Sequence, residues 1–395
     1  MKHAQDGFDF TRGVDRRGSD SLKWERYVGR DIIPLWVADM DFAAPPPVLD
    51  ALRQRIEHGV FGYAKPWPSL TEAVQQHVLR HYAWAIEAPW IVWIPGVVAA
   101  LNLACRSVGD TGDAVLSATP VYPPFLAAPA HSARRLETVA LQRNAVRWQW
   151  DFAAVDAAFA RSQAKLWLLC HPHNPVGRVW DDEELNAIAA LAEKHDAVVC
   201  SDEVHCGLVL DPTRRHRPLA ALSESIAQRS ITLMAPSKTF NVPGLYSAFA
   251  VIPDATLRRR FLSTMEGIMP HINTLGLVAT EAAYRDGDDW QRALLDTLRG
   301  NAQRVEQAVT MMPGLRTTPM EATYLAWIDC SGLGLDHPQK FFEQAGVGLS
   351  DGRDFGLGAD YQKYVRLNFG CPAGTLETAL ARMASAVAQR TKQPK

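Results

Sequence analysis

The chain has 395 residues, 47% of them hydrophobic and 21% charged, with a formal net charge of −2. That length supports a large core without disulfide or metal staples, and the ordinary apolar-to-charged balance excludes a disordered chain. The near-neutral charge argues against nucleic acid as a partner. The most apolar run, over 91–101, is far shorter than the ~20 residues of a membrane span and contains Pro95 and Gly96, so no membrane partner is expected. The polar start, Met1 to Asp6, does not read as a targeting signal. Cys105, Cys170, Cys200, Cys206, Cys330 and Cys371 show no Cys-x-x-Cys spacing. They read as reduced, mostly buried thiols of a cytoplasmic protein.

In chain order, apolar spacing of three and four predicts helices over 48–58 and 70–81. Short β-branched or leucine-rich runs predict buried strands over 91–94, 114–117, 166–170, 197–200, 231–234 and 248–252. Acidic residues at the start and Lys194 and His195 at the end predict a helix over 181–195. Strands alternating with helices imply an α/β domain with a mainly parallel sheet. Past residue 284 the texture changes. A long helix over 290–312 stops at Pro313-Gly314, followed by a strand over 323–329, a helix over 337–344, a strand over 364–369 and a helix over 375–390. This reads as a smaller α+β domain, and the Lys/Gln/Pro tail reads as frayed.

Four motifs carry chemistry, each directly after a predicted strand. Ala235-Pro236-Ser237-Lys238-Thr239-Phe240-Asn241 puts a lysine where open α/β sheets bind ligands. Cys200-Ser201-Asp202-Glu203-Val204-His205 puts an acid at the end of a neighbouring strand, on the same sheet edge. His171-Pro172-His173-Asn174-Pro175 is a rigid turn that fixes a side-chain amide. Pro95-Gly96-Val97-Val98 is a tight turn into a helix start, whose free N–H groups suit a phosphate.

Together these motifs resemble the fold-type I pyridoxal-phosphate enzymes. The resemblance narrows to the cystathionine β-lyase-like C–S lyases of the MalY/PatB type on further stretches. These are Arg16-Arg17-Gly18-Ser19-Asp20-Ser21-Leu22-Lys23-Trp24, Pro34-Leu35-Trp36-Val37-Ala38-Asp39-Met40-Asp41-Phe42, Phe61-Gly62-Tyr63 and Pro120-Val121-Tyr122-Pro123-Pro124-Phe125. Glu321-Ala322-Thr323-Tyr324-Leu325-Ala326-Trp327 and Arg366-Leu367-Asn368-Phe369 continue it. It implies a sheet sandwiched by helices, with an N-terminal arm over 1–47, a large cofactor domain over 48–283 and a small domain over 284–395.

The resemblance also implies roles. Lys238 holds the pyridoxal 5'-phosphate aldehyde covalently and then removes the substrate Cα proton. Asp202 pairs with the pyridinium nitrogen, Asn174 with the ring's phenolic oxygen, and Tyr122 stacks on the ring. Val97 and Val98 amides and the Ser237 hydroxyl hold the phosphate, with Tyr63 reaching in from a neighbouring subunit of a homodimer. His205 lies near the cofactor, where ordinary aminotransferases have Tyr. Arg366 clamps the substrate carboxylate, and the segment with Trp36 and Ala38 closes on the same end. Glu203 is assigned no catalytic role. No metal site is expected, because His171, His173 and His205 lie in two separate loops.

The implied reaction is β-elimination of a thiol from cystathionine or a related amino-acid thioether, leaving pyruvate and ammonia. The alternatives are an aminotransferase, and a regulatory protein on a lyase scaffold. Several positions depart from the family pattern. Ala235 stands where many relatives carry a hydroxyl, and no basic residue follows Lys238 until Arg258. Ser350-Asp351-Gly352 replaces Ser-Pro-Gly, and Cys371-Pro372-Ala373 lacks the usual Arg.

Overall fold

The computed structural model describes residues 8–144 and 146–391. The N-terminal stretch before Phe8 and the end of the Lys/Gln/Pro tail lie outside the described residues. A seven-stranded sheet organises the chain, in the spatial order Ile91–Ile94, Ala248–Val251, Ser230–Met234, Val198–Asp202, Leu166–Cys170, Ala114–Thr119, Arg135–Ala140. Ala248–Val251 runs antiparallel to both neighbours, and the other strands run parallel to one another.

The central strands are continuous apolar runs because both faces are covered. Alternation sorts their side chains into two cores. Leu166, Leu168, Cys170, Cys200, Ile231 and Leu233 face one core, under the helices Val97–Ser107 and Ala255–Ser263. Trp167, Leu169, Leu116 and Val199 face the other, with Phe159 and Leu185 from the helices Phe152–Ser162 and Asp182–Lys194. Asp181 and Glu184 form a reciprocal capping box at the start of the last of these.

A second sheet is antiparallel, in the order Arg316–Thr317, Leu325–Asp329, Tyr364–Asn368, Ser350–Asp351. The N-terminal arm joins it. Ile33–Pro34 pairs in parallel with Val347–Gly348, and Leu35 accepts from the Asn368 N–H at 2.9 Å. The long helices Asp288–Thr310 and Ala373–Thr391 pack nearby.

Several expected boundaries shift. The strand over 114–117 extends to Thr119, and the one over 197–200 is Val198–Asp202, so Asp202 ends the strand rather than following it. The edge strand Arg135–Ala140 and the helix Thr274–Asp286 were not expected. The edge strand carries Arg135 and Glu137 and is covered on one side only, which removes the apolar-run signal. Between Asp202 and Lys238 the connection is mostly loop, with the single-turn helix Glu224–Ala227, not a full crossover helix. All six cysteines are buried and none is in a disulfide. Among the described residues no helix is long and apolar enough to cross a membrane.

Candidate active site

Three adjacent parallel strands bring their carboxyl ends together. Leu166–Cys170 leads into Asn174, Val198–Asp202 ends on Asp202, and Ser230–Met234 leads into Lys238. The turn links are direct. His171 N–H donates to the Asp202 carbonyl at 2.9 Å, and Glu203 N–H donates to the Leu233 carbonyl at 2.8 Å.

Lys238 Nζ donates to the Ala38 carbonyl at 2.7 Å. Its amine is brought down to about 8, chiefly by burial, with Arg366 pushing the same way against the carboxylates of Asp39 and Asp202. Asp202 is buried, accepts the Val204 N–H at 3.1 Å, and is pushed up to about 7 by burial, against the Val204 bond and the Lys238 charge. A carboxyl held this way has spare capacity for a cationic partner.

Arg366 is buried on the strand Tyr364–Asn368. Among the described residues its hydrogen bonds go to uncharged acceptors: Asn174 Oδ1 at 3.1 Å, the Trp36 carbonyl at 2.9 Å and Ser350 Oγ at 3.3 Å. Its Nε has no partner, and its guanidinium lies 4.8 Å over the Phe355 ring. Burial pulls it down to about 10. A buried cation without a carboxylate partner is an incomplete ion pair, which a substrate carboxylate completes.

The arm is built around this edge. Ala38 O also accepts Tyr324 Oη at 2.9 Å, and Trp36 O also accepts Ser350 Oγ at 2.8 Å. Asn368 Nδ2 donates to the Val37 and Asp39 carbonyls, and Asn241 Nδ2 donates to the Met40 and Phe42 carbonyls at 2.9 and 2.8 Å. Arg16 pairs with Asp39 at 2.8 Å, and buried Lys23 pairs with Asp41 at 2.8 Å. The arm therefore holds Trp36 and Ala38 against the strand ends through its own backbone carbonyls.

His205 is buried beside this cluster, with its ring 6.0 Å from that of Tyr324 and its Nδ1 without a partner. Burial, reinforced by the Lys238 and Arg366 charges, pulls it down to about 3, so it is neutral. Tyr122 is half-buried at the cap of the helix Pro123–His131, and burial raises its hydroxyl. Val97 and Val98 open the helix Val97–Ser107 behind Gly96, whose φ of +127° favours glycine. Val97 packs on Val204, Ala235 and Ala248. Ala235 thus sits in a small apolar patch. Ser237 is half-buried beside Lys238.

Tyr63 is the exception: it is fully exposed, on the segment between the helices Pro46–Glu57 and Pro68–Tyr82. Glu203 is enclosed by Ser201 Oγ, the Leu219 N–H and His216 Nε2, at 2.8, 3.1 and 2.7 Å. Its bonds organise the turn behind the site. Tyr324, Asp39, Asn368 and Asn241 were given no role from the sequence. Their signal lay in the stretches 34–42, 235–241, 321–327 and 366–369, which matched the family pattern as strings without showing what each side chain touches.

With this geometry in place, the comparisons decide the family. The aminotransferase class I and II family matches residues 30–383. The chain belongs to that family. It is 33% identical to cystathionine beta-lyase PatB of Bacillus subtilis (strain 168), over 96% of this chain and 100% of that one. It is similar to the solved structure of OvoB, with 46% identity and a TM-score of 0.93 over 96% of this chain and 99% of that one. It also resembles cystalysin from Treponema denticola, which contains a pyridoxal 5'-phosphate cofactor. That match has 31% identity and a TM-score of 0.92 over 97% of this chain and 99% of that one. The family and the fold type therefore stand as the sequence implied.

Proposed function

We propose that the protein is a pyridoxal-phosphate-dependent carbon–sulfur β-lyase that releases a thiol, pyruvate and ammonia from cystathionine or a related cysteine S-conjugate. The observation that carries this reading is Lys238. It has an amine brought near neutrality, set between a buried acid, Asp202, and a buried arginine without a carboxylate partner, Arg366. The likeness to PatB supports the lyase class.

The residues present fit the cofactor. Lys238 is the amine that would hold its aldehyde, Asp202 the acid for its pyridinium nitrogen, and Asn174 the amide for its phenolic oxygen. Tyr122 offers a ring to stack on it. The Val97 and Val98 N–H groups and Ser237 offer donors for the phosphate. The unpartnered Nδ1 of His205 and Nε of Arg366 are buried polar atoms that a bound ligand would complete. When bound, the cofactor supplies an electron sink that makes the substrate Cα–H bond acidic.

The chain's own groups do the rest. Arg366 binds the α-carboxylate with its planar fork and fixes the Cα–H bond relative to Lys238. The arm at Trp36 and Ala38 covers that end and limits water. Lys238 takes the Cα proton. The electron pair left at Cα forms the Cα–Cβ double bond as the Cβ–S bond breaks, and the thiolate departs. The enamine product hydrolyses to pyruvate and ammonia. Neutral His205 and Tyr324 line the path without adding charge.

The same reading extends to assembly and place. Val60, Phe61 and Tyr63 are exposed apolar or aromatic side chains on one segment, which supports a homodimer in which Tyr63 reaches the partner's phosphate site. The pairing of Ile33–Pro34 with Val347–Gly348 supports an arm over 1–47 that belongs with the small domain over 284–395, around a large domain over 48–283. A small zwitterionic substrate and a cytoplasmic location fit the near-neutral chain. The test is pyruvate release from a panel of cysteine S-conjugates by cofactor-loaded protein. No pyruvate from any of them removes the proposal.

A further inference from the structure

Away from this site, two histidines and an aspartate meet where two helices adjoin. His77 and His81 stand four residues apart on the helix Pro68–Tyr82, on one face of it. Asp288, 207 residues beyond His81, opens the helix Asp288–Thr310. One ligand atom from each residue lies within 4.8 Å of the other two. His81 Nε2 is 3.0 Å from Asp288 Oδ1, and the two imidazole centroids are 4.3 Å apart.

His77 supplies the second, independent observation. It is 4% exposed, yet its Nδ1 has no hydrogen-bond partner. Its ring stacks on that of Tyr284 with centroids 4.1 Å apart, which holds the plane of the imidazole. As the neutral imidazole, the tautomer protonated at Nε2 presents Nδ1 as a lone pair for an ion. Asp288 is held too: Arg80 Nη2 pairs with its Oδ2 at 3.1 Å, and its Oδ1 faces His81 Nε2, a contact that a bound ion would replace.

We propose that His77, His81 and Asp288 form a site for a divalent cation of the zinc type, tying the helix Pro68–Tyr82 to the helix Asp288–Thr310. Two imidazoles and one carboxylate suit zinc, nickel or copper better than magnesium or calcium, which prefer all-oxygen shells. A tetrahedral ion needs ligand atoms ~3.3 Å apart, so the three groups draw together by at most about 1.5 Å, within reach of small rotamer changes. His81 also lines a cavity of about 1100 Å³, which gives the ion an entry path. Arg80 opposes the cation's charge and holds the affinity below that of a closed structural zinc site. The sequence carried no signal here beyond the spacing of two histidines, and no metal was expected.

The experiment is calorimetric titration of zinc chloride into cofactor-loaded protein freed of metals with EDTA, with thermal unfolding measured alongside. The expected result is one zinc per chain at micromolar affinity and a raised unfolding midpoint. His81→Ala and Asp288→Asn, both at partly exposed positions, keep the zinc-free midpoint close to that of the wild type. Each weakens binding at least about tenfold. Absence of zinc binding in the wild type, or equal binding in the wild type and both variants, overturns the site.

Discussion

Arg366 Nη1 donates to Asn174 Oδ1 across 3.1 Å, joining a strand of the small sheet to the turn that follows Leu166–Cys170 in the large one. This end of the candidate site is thus built from both sheets at once. Arg366→Lys keeps the charge and loses the fork that meets Asn174, the Trp36 carbonyl and Ser350 together. We expect kcat/KM for pyruvate release to fall about 100-fold, mostly through KM, as for other truncated buried charge pairs. Steady-state kinetics over a range of substrate concentrations reads this directly. An unchanged KM would place the carboxylate elsewhere.

In the proposed role, Lys238 captures the cofactor only as the neutral amine. With the amine at about 8 in the folded chain, the rate of cofactor incorporation into cofactor-free protein rises about tenfold per pH unit below that value and levels off above it. Stopped-flow absorption of the bound cofactor between pH 6 and 10 measures the midpoint. A rise continuing to the ordinary lysine range near 10.5 would show that burial does not act on this amine.

Asp202→Asn removes the negative charge that we propose for the cofactor nitrogen and keeps the side chain's size and its bond to the Val204 N–H. We expect the variant to retain cofactor while kcat falls by roughly 10²-fold or more, as when a buried electrostatic stabiliser is lost. Equilibrium dialysis of the cofactor beside the pyruvate assay separates the two effects. Equal kcat in the variant and the wild type would remove Asp202 from the chemistry.

Much of this was legible in the sequence, for a physical reason. Strands covered on both faces must be apolar throughout, so Leu166–Cys170 and Ser230–Met234 announced themselves, and with them the places where Asn174 and Lys238 follow. The edge strand Arg135–Ala140 faces solvent along one side and left no such run. At the site, titratable side chains were legible and backbone acceptors were not. The Ala38 carbonyl, which gathers Lys238 and Tyr324, belongs to a residue type with no polar side chain. Tyr324 was visible only as one letter of a strand. Tyr63 lies on the surface of the single chain, so its proposed role is not visible there.

His171 and His173 are fully buried, and burial pulls them down to about 3 and 4. Both stay neutral in the folded chain and take up a proton near 6.5 when it unfolds. At these two sites the unfolded state therefore binds two more protons between about pH 6.5 and 4, and their contribution to stability falls as pH drops through that window, by about 2.7 kcal/mol per pH unit where the difference is complete. The neighbouring His216–Glu203 pair, 2.7 Å apart, shares one proton in the fold and adds little net change. Thermal unfolding midpoints from pH 7.5 to 4.5 test the sign. A midpoint that is flat or rises toward acid would contradict it.

The central claim is that this chain breaks a carbon–sulfur bond using Lys238 as its base. The direct measurement is product analysis from a cysteine S-conjugate with cofactor-loaded wild type and Lys238→Ala, scoring pyruvate, thiol and any keto acid that keeps its sulfur. The account predicts pyruvate and thiol in equal amounts from the wild type, and at least about 10³-fold less from the variant. A sulfur-retaining keto acid as the main product, or pyruvate formed equally by Lys238→Ala, would contradict it.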